Sequence, residues 1–177
     1  MSEVCENEIG TIVPQADGTL SRTERQWLQV KKTVEGDTEP YINAEGLKEE
    51  LSSFKFPLHF IDFETSAVAI PFFKGRKPYE QIAFQFSHHI VYEDLSIEHK
   101  GQFLCHESGI FPNFEFIRQL KLQLENDKGT VFRYADHENT ILNHILAQLN
   151  TISSAEVVDK DSLISFIKTI THSENHK

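Results

Sequence analysis

The sequence predicts an α/β domain in which helices flank a mixed β-sheet, and two observations lead to this fold class. Residues 58–64 form a short, aromatic-rich run that follows Pro57, and residues 81–92 alternate apolar and polar side chains, as strands do. A third strand comes next, and a helix then separates it from the fourth strand. Three strands joined by hairpins, with a fourth that returns after a helix, give three antiparallel strands plus a parallel fourth.

Two helices are expected before the sheet. Residues 1–20 are polar and acidic, and we interpret them as a flexible lead-in. Residues 21–56 are predicted to form a helical N-terminal segment with helices at 22–34 and 44–54. The expected N-cap residues are Ser21 and Asn43.

The first three strands follow from alternation and from breaks in the chain. The strand at 58–64 is followed by a loop at 69–79, which contains two prolines and a glycine. Strands at 81–92 and 96–105 then form the expected hairpin. Because neighbouring side chains on a strand point to opposite faces, His88 and His89 should face opposite sides of the sheet.

The remaining elements alternate between helix and strand. Pro112 suits the start of a helix that runs to about Asn126, and residues 130–134 form the short fourth strand. A further helix begins at Asp136, and Asp161 is expected to cap the last helix, through Ile170. The main domain is thus predicted at 57–172, with a polar tail at 173–177.

Composition limits the class of protein. The chain has 177 residues, 39% of them hydrophobic, with 14 phenylalanines, which is enough for a packed core. No apolar run is long enough to span a membrane, the acidic N-terminus has no signal core, and two cysteines give neither a disulfide framework nor a zinc pattern. We therefore expect a cytoplasmic protein. The net charge of −10 argues against a general nucleic-acid coat, but not against a nucleic-acid enzyme.

Two carboxylates at the end of the first strand are the main candidates for chemistry. Asp62 and Glu64 are two positions apart, so both side chains should point to the same face of the sheet. Two neighbouring carboxylates repel each other, and a hard cation such as Mg²⁺ or Mn²⁺ between them removes that repulsion. The alternative is a strand end whose acidic side chains simply face water.

This pair and the order of elements resemble the ribonuclease-H-like exonucleases of the DEDD class. In that class an Asp-x-Glu lies on the first strand, and a third acid opens the helix after the fourth strand. Alignment on Leu142 places Glu138 at the third acid, with His137 where the class has a buried Phe. Asp136 is a rival candidate, although an N-cap role explains it equally well. We interpret His137 as a packed helix residue, in keeping with the Phe that it replaces.

A closer resemblance is to the bacterial domain-of-unknown-function family 2779, over roughly 43–150. It is carried by the segments His59-Phe60-Ile61-Asp62-Phe63-Glu64-Thr65, Ala69-Ile70-Pro71, Pro78-Tyr79-Glu80-Gln81-Ile82 and Phe84-Gln85-Phe86-Ser87. The resemblance implies a ribonuclease-H-like fold and a predicted nuclease. It also implies a possible partner, a RecB-like nuclease domain in the same chain or in another.

The resemblance further implies a fourth acid on a later helix, five residues after a His or four after a Tyr. The sequence has no such acid, and we expect the domain to be truncated at its C-terminal end. Asp159 and Asp161 are substitutes, although both also suit a helix start. We therefore expect a two-metal site that is incomplete in this chain, weak metal binding, and poor activity of this fragment.

The loop after the acidic strand carries the candidate nucleic-acid contacts. Lys74, Arg76 and Lys77 could bind the phosphates of a single strand, and Tyr79 could stack on a base. The alternative is a solvated loop with a hydrophobic anchor.

The function expected from these features is metal-dependent hydrolysis of phosphodiester bonds in DNA or RNA, most simply as a 3′-5′ exonuclease. Asp62, Glu64 and Glu138 would be the catalytic metal ligands, with carboxylates roughly 4–8 Å apart, as two-metal sites demand. The alternatives are a catalytically inactive ribonuclease-H-like module that binds nucleic acid or a partner nuclease domain, and a purely structural domain.

Overall fold

A computed structural model describes residues 19–171 of the chain. The chain divides into two compact units, Met1–Phe54 and Lys55–Lys177. Most of the expected lead-in, 1–18, and the expected tail at 173–177 lie outside the described residues.

The first unit contains two helices, α1 (Arg22–Glu35) and α2 (Ala44–Ser53). Ser21 begins α1 with a capping box, in which its hydroxyl accepts from the Glu24 backbone N–H and its own N–H donates to the Glu24 carboxylate at 2.7 Å. The Asn43 side chain accepts from the Gly46 N–H at 3.1 Å and begins α2. Both predicted caps are confirmed.

The second unit is built on a four-stranded sheet with the order β3-β2-β1-β4. Its strands are β1 (Leu58–Ser66), β2 (Ile82–Val91), β3 (Ile97–Leu104) and β4 (Val131–Phe132). Strand β1 pairs antiparallel with β2 and parallel with β4, and β2 pairs antiparallel with β3. The predicted mixed sheet, with three antiparallel strands and a parallel fourth, is confirmed. The fourth strand has two residues rather than the five expected.

Three helices, α3 (Asn113–Leu124), α4 (His137–Thr151) and α5 (Lys160–Ile170), form the core of this unit with one face of the sheet. Helix α3 packs on β2 and β3, and α5 contacts both α3 and α4. Among the fully buried side chains are Phe86, Phe116, Ile117, Leu120, Ile141, Ile145, Leu149, Leu163 and Ile167. The sheet face that carries Ile61 and Phe63 is thereby covered.

The N-cap position predicted for Asp136 is confirmed without a capping bond, and the cap predicted at Asp161 was wrong. Asp136 occupies the N-cap position of α4 but makes no capping bond, because its carboxylate accepts from Arg133 at 2.8 Å. Asp161 lies inside the first turn of α5, and Asp159 occupies the N-cap position. Asp159 does not cap either, because its carboxylate binds the Arg118 guanidinium at 2.8 Å through both oxygens.

Candidate functional site

Strand β1 presents its two acids on the face opposite the core. Ile61 and Phe63 are buried, whereas Phe60, Asp62 and Glu64 are exposed. This alternation arises because β1 is central in the sheet and only its apolar set is covered by helices. Asp62 is paired with Ser87 and Glu64 with Gln85 on β2.

Glu138 lies in the first turn of α4 at a position that belongs to the helix's buried stripe. That stripe consists of Glu138, Ile141, Leu142, Ile145 and Leu149. Glu138 is only 4% exposed, and its Oε2 atom is buried without a hydrogen-bond partner. A buried carboxylate oxygen with no hydrogen-bond donor is costly, so Glu138 is a candidate ligand for a cation.

Asp62 and Glu138 line one groove of about 640 Å³ beside the β1–β4 pair. The other lining residues are Phe60, Ile61, Phe63, Phe132, Arg133, Tyr134, Ala135 and His137. Of the predicted ligands, Asp62 and Glu138 line this groove and Glu64 does not. Asp136, the rival to Glu138, is also absent from it, and its side chain is 92% exposed.

The carboxylate oxygens in this groove are suitable ligands for a hard cation, but they are few. Carboxylate oxygens are the ligands that Mg²⁺ and Mn²⁺ prefer, and Mg²⁺ commonly uses one or two carboxylates and keeps several waters. Across residues 19–171, no three His, Cys, Asp or Glu side chains lie together closely enough to hold a metal ion. Asp62 and Glu138, whose Oε2 has no hydrogen-bond partner, are therefore the residues of this groove that would hold a cation.

His137 is exposed and lines the same groove, so the expectation that it is a packed helix residue was wrong. It stands at the very start of α4, where the chain enters from the surface. Its Nε2 lies 3.0 Å from the Thr65 hydroxyl on β1, which orients the imidazole beside Asp62. Thr65 comes directly after the position where the register of the β1–β2 pairing shifts, between Glu64 and Thr65.

The loop cations differ in their surroundings. Lys74, Lys77 and Tyr79 are exposed, whereas Arg76 is held within the protein. The Arg76 guanidinium lies 3.5 Å from the centre of the Phe111 ring and 3.3 Å from the Glu80 carboxylate.

Arg76 therefore anchors the loop. Glu80 extends this anchor, because its carboxylate accepts from Gln148 on α4 at 2.9 Å. Gln148 in turn accepts from the buried Asn113 at 2.7 Å. None of the four predicted nucleic-acid contacts lines the Asp62 groove.

A buried chain of polar groups was missed by the sequence interpretation. His59 and His88, both at most 1% exposed, face each other with Nδ1 of His59 2.9 Å from Nε2 of His88. At the two ends, His59 Nε2 lies 2.9 Å from Asp127 Oδ1, and His88 Nδ1 lies 2.8 Å from Gln123 Oε1. We call this the histidine chain. His88 is buried and His89 exposed, as alternation predicted.

Two glycines make room for the histidine chain. A Cβ at Gly129 would meet the Pro57 carbonyl oxygen and lie 2.8 Å from His59 Nε2, and a Cβ at Gly101 would collide with the Gln123 amide. The signal for the chain was present in the sequence, because alternation puts position 59 on the same face as Ile61 and Phe63. Its partners on α3 and the following turn gave no pattern of their own.

Burial and hydrogen bonding shift two groups of the histidine chain. Burial lowers the pKa of His88 below its ordinary value, and the bond to Gln123 opposes this only in part. For Asp127, burial acts to raise the pKa, but the bonds from the Gly129 N–H and from His59 outweigh it and hold the pKa below the ordinary value.

Comparison with known proteins gives one match. A family model described as Domain of unknown function (DUF2779) matches residues 59–173, which begin in β1 and include the groove and the histidine chain. No curated protein and no solved structure matches the chain. Within residues 19–171, no helix has the length and apolar character needed to cross a membrane.

Proposed function

The chain belongs to the domain family DUF2779, and from this premise we propose that it is a ribonuclease-H-like module for metal-dependent hydrolysis of phosphodiester bonds in nucleic acid. The leading form is a 3′-5′ exonuclease that uses Mg²⁺ or Mn²⁺. The strand order β3-β2-β1-β4, with Asp62 on the central β1 and Glu138 at the start of the helix after β4, supports this proposal.

One observation carries the proposal: Glu138, whose buried Oε2 has no hydrogen-bond partner, is one of the residues that line a groove together with Asp62. A purely structural domain gains nothing from an acid in a buried helix stripe, because burying an unpaired carboxylate is unfavourable. A cation held by Glu138 in this groove would remove that cost. The unfavourable placement is therefore expected at a functional site.

The residues of the groove would have distinct roles. Asp62 and Glu138 would hold the cation, and Glu64 is one strand repeat further along the exposed face of β1. When bound, the metal supplies an activated water and stabilises the leaving oxygen of the phosphodiester. His137, oriented by Thr65, lies where it can donate to a substrate oxygen. Lys74 and Lys77 remain the candidates for contacts to the substrate backbone, since Arg76 is engaged by Phe111 and Glu80.

The second candidate function is a catalytically inactive module of the same fold that binds nucleic acid or a partner nuclease domain such as a RecB-like one. A specific observation favours it: the groove lining contains two of the three expected acids. Of the substitutes for a fourth acid, Asp159 is bound to Arg118 and is absent from the groove.

Metal binding is the first test. In a thermal melt with increasing Mn²⁺, the wild type should be stabilised at millimolar concentrations, by about 1.4 kcal/mol at ten times Kd. Asp62→Asn and Glu138→Gln should abolish this stabilisation. Asp136→Asn is the matched control, since that exposed acid lies two residues from Glu138 and outside the groove. Equal Mn²⁺ stabilisation of all four proteins would contradict the proposed site.

Hydrolysis is the second test. The wild type and Asp62→Asn are incubated with end-labelled single-stranded DNA and RNA and Mg²⁺ or Mn²⁺. Slow release of terminal nucleotides by the wild type alone supports the nuclease. Binding of the same strands without any cleavage favours the inactive module, and cleavage that survives Asp62→Asn would show that the activity comes from elsewhere.

A further inference from the structure

The exposed face of the sheet carries a row of aromatic rings, one from each of the four strands. Register pairs Phe132 on β4 with Phe60 on β1, Phe60 with His89 on β2, and His89 with His99 on β3. Because each pair is directly opposite in register, the four side chains lie side by side across the sheet. We call this set the aromatic row.

Ring contacts within the aromatic row are close, and its surface is open. The Phe60 and Phe132 rings stack with centroids 5.0 Å apart at 13°. The His89 and His99 rings meet edge to face, 4.6 Å apart at 73°, and a hydrogen bond of 3.0 Å joins His89 Nε2 and His99 Nδ1. Phe60 is 43% exposed, and both histidines are exposed. The buried residues of β1 and β2 face the opposite side, so this row contributes no packing to the core.

The aromatic row borders the Asp62 groove. Phe60 and Phe132 line that groove together with Asp62 and Glu138, and so does Tyr134, whose side chain is 99% exposed. The next register row on the same face contains Asp62, Ser87 and Gln102, which offer hydrogen-bonding groups. Aromatic surface, polar groups and the candidate metal ligands therefore adjoin one another.

Each end of the aromatic row is followed in sequence by a cation that is already ion-paired. Lys100 follows His99 on β3 and lies 3.7 Å from the Glu98 carboxylate, and Arg133 follows Phe132, lines the groove and donates to Asp136 at 2.8 Å. The occupant is therefore indicated by the aromatic rings, which adjoin hydrogen-bonding groups and the candidate metal ligands. Single-stranded nucleic acid matches this combination, because it carries planar bases on a phosphate backbone. An aliphatic protein partner would instead call for branched apolar side chains.

We propose that the aromatic row is a stacking platform for the bases of single-stranded DNA or RNA, placed so that the backbone of the bound strand passes the Asp62–Glu138 groove. This inference rests on the proposed function, because it assigns the substrate class as unpaired nucleic acid. Aromatic side chains on a four-stranded sheet are a known way of stacking unpaired bases, and each such stack contributes substantially to affinity. Phe60 is the central residue, since it stacks on Phe132 and adjoins both His89 and Asp62.

The test uses the full chain and a short single-stranded oligonucleotide that contains 2-aminopurine, whose fluorescence is quenched when the base stacks. Binding is measured in EDTA, so that no hydrolysis occurs. The wild type should quench the probe, and Phe60→Leu, which keeps an apolar side chain without the ring, should lose the quench and bind about tenfold more weakly. Phe60→Tyr should retain both. Tyr41→Ala is the matched control, because Tyr41 is an aromatic residue of similar exposure, 50%, outside the sheet unit.

Three outcomes would overturn the platform: no binding by the wild type, binding without quench, or equal loss of affinity in Phe60→Leu and Tyr41→Ala. Circular dichroism confirms that each variant is folded. The readout separates the two proposals. Quench that depends on Phe60, together with no cleavage in Mn²⁺, would leave the platform standing and refute the nuclease. Cleavage with a KM unchanged by Phe60→Leu would do the reverse.

Discussion

The histidine chain makes a prediction about stability that follows from counting hydrogen atoms. Its two ends, the Asp127 carboxylate and Gln123 Oε1, are acceptors, so His88 donates through Nδ1 and His59 through Nε2. His88 Nε2 must then accept from His59 Nδ1. With the Gln123 amide turned, two neutral imidazoles form the same three bonds. In both arrangements His59 donates through Nε2 to the Asp127 carboxylate, which is therefore the fixed acceptor at this end of the chain.

Asp127→Asn removes this negative charge while keeping an oxygen that can accept. A hydrogen bond to a charged group contributes about 1.5–3 kcal/mol. The Asp127 side chain is 35% exposed, so solvent screening reduces the expected loss in the free energy of unfolding to about 1–2 kcal/mol. For a unit of this size, that loss lowers the melting temperature by about 4–8 °C.

The loss should depend on pH in one direction. The folded pKa of Asp127 is below its ordinary value of 3.8, so its carboxylate contributes stability that is present above that value and lost as pH falls through the folded pKa. The difference between wild type and Asp127→Asn should be constant above about pH 5 and shrink below about pH 4. The lowered pKa of His88 makes both proteins less stable as pH falls below its ordinary value of 6.5.

Urea unfolding at pH 3, 5 and 7, followed by far-ultraviolet circular dichroism, measures this difference. Glu125→Gln is the matched control. Glu125 is an acid in the same turn, but its carboxylate pairs with Lys121 on the surface and not with the histidine chain. It should cost about 0.5 kcal/mol or less. A wild-type-to-variant difference that stays the same from pH 3 to pH 7, or an equal loss in Glu125→Gln, would refute the Asp127 carboxylate as the stabilising acceptor of the histidine chain.

Three further predictions concern single substitutions, each measured by thermal or urea unfolding without metal. Glu138→Gln should stabilise the protein by about 1 kcal/mol, because a neutral amide is easier to bury than an unpartnered carboxylate; a destabilised variant would show that the acid has a structural partner. Asn113→Ala should lower the free energy of unfolding by about 3 kcal/mol. This fully buried amide accepts from the Ala83 N–H at 2.8 Å and donates to the Gln81 carbonyl and the Gln148 side chain. A loss below about 1 kcal/mol would contradict the stabilising role of these three bonds. Arg118→Ala should lower the free energy of unfolding by about 0.5–1 kcal/mol near pH 7 and leave it unchanged in acid. Arg118 holds the pKa of Asp159 below its ordinary value, and this contribution to stability is lost as Asp159 is protonated. A loss of stability that persists at pH 2 would refute the ion pair as its cause.

The sheet was predictable because alternation on its strands is strong. At 58–64 the apolar set and the acidic set fall on opposite faces, and a one-residue slip would bury both Asp62 and Glu64, so the sequence permits a single register. The capping residues Ser21 and Asn43 were equally clear, since each has a short polar side chain directly before a helical pattern.

The remaining features depend on partners that are distant in sequence. Arg76 looked like a free loop cation, but Phe111 and Glu80 bind it, and Phe111 is 35 residues further along the chain. His137 looked like a core residue because of the position it occupies in a resembled motif, yet the helix begins there and exposes it. Local pattern reports which face a residue occupies, and it does not report which side chains meet it from another element.

The close approach at Gly129 has a consequence for how this domain can vary. Position 129 follows the turn after α3, where a sequence reader sees only a helix end, but its Cα leaves no room for a side chain between the Pro57 carbonyl and the His59 ring. A Cβ at position 129 would collide with the Pro57 carbonyl oxygen, and because that atom belongs to the backbone, no smaller residue at position 59 makes room for it. A Cβ at position 101 meets only the end of the Gln123 side chain, which can rotate or be replaced. A substitution at position 129 therefore requires the backbone itself to shift, whereas a substitution at position 101 requires only a change at position 123.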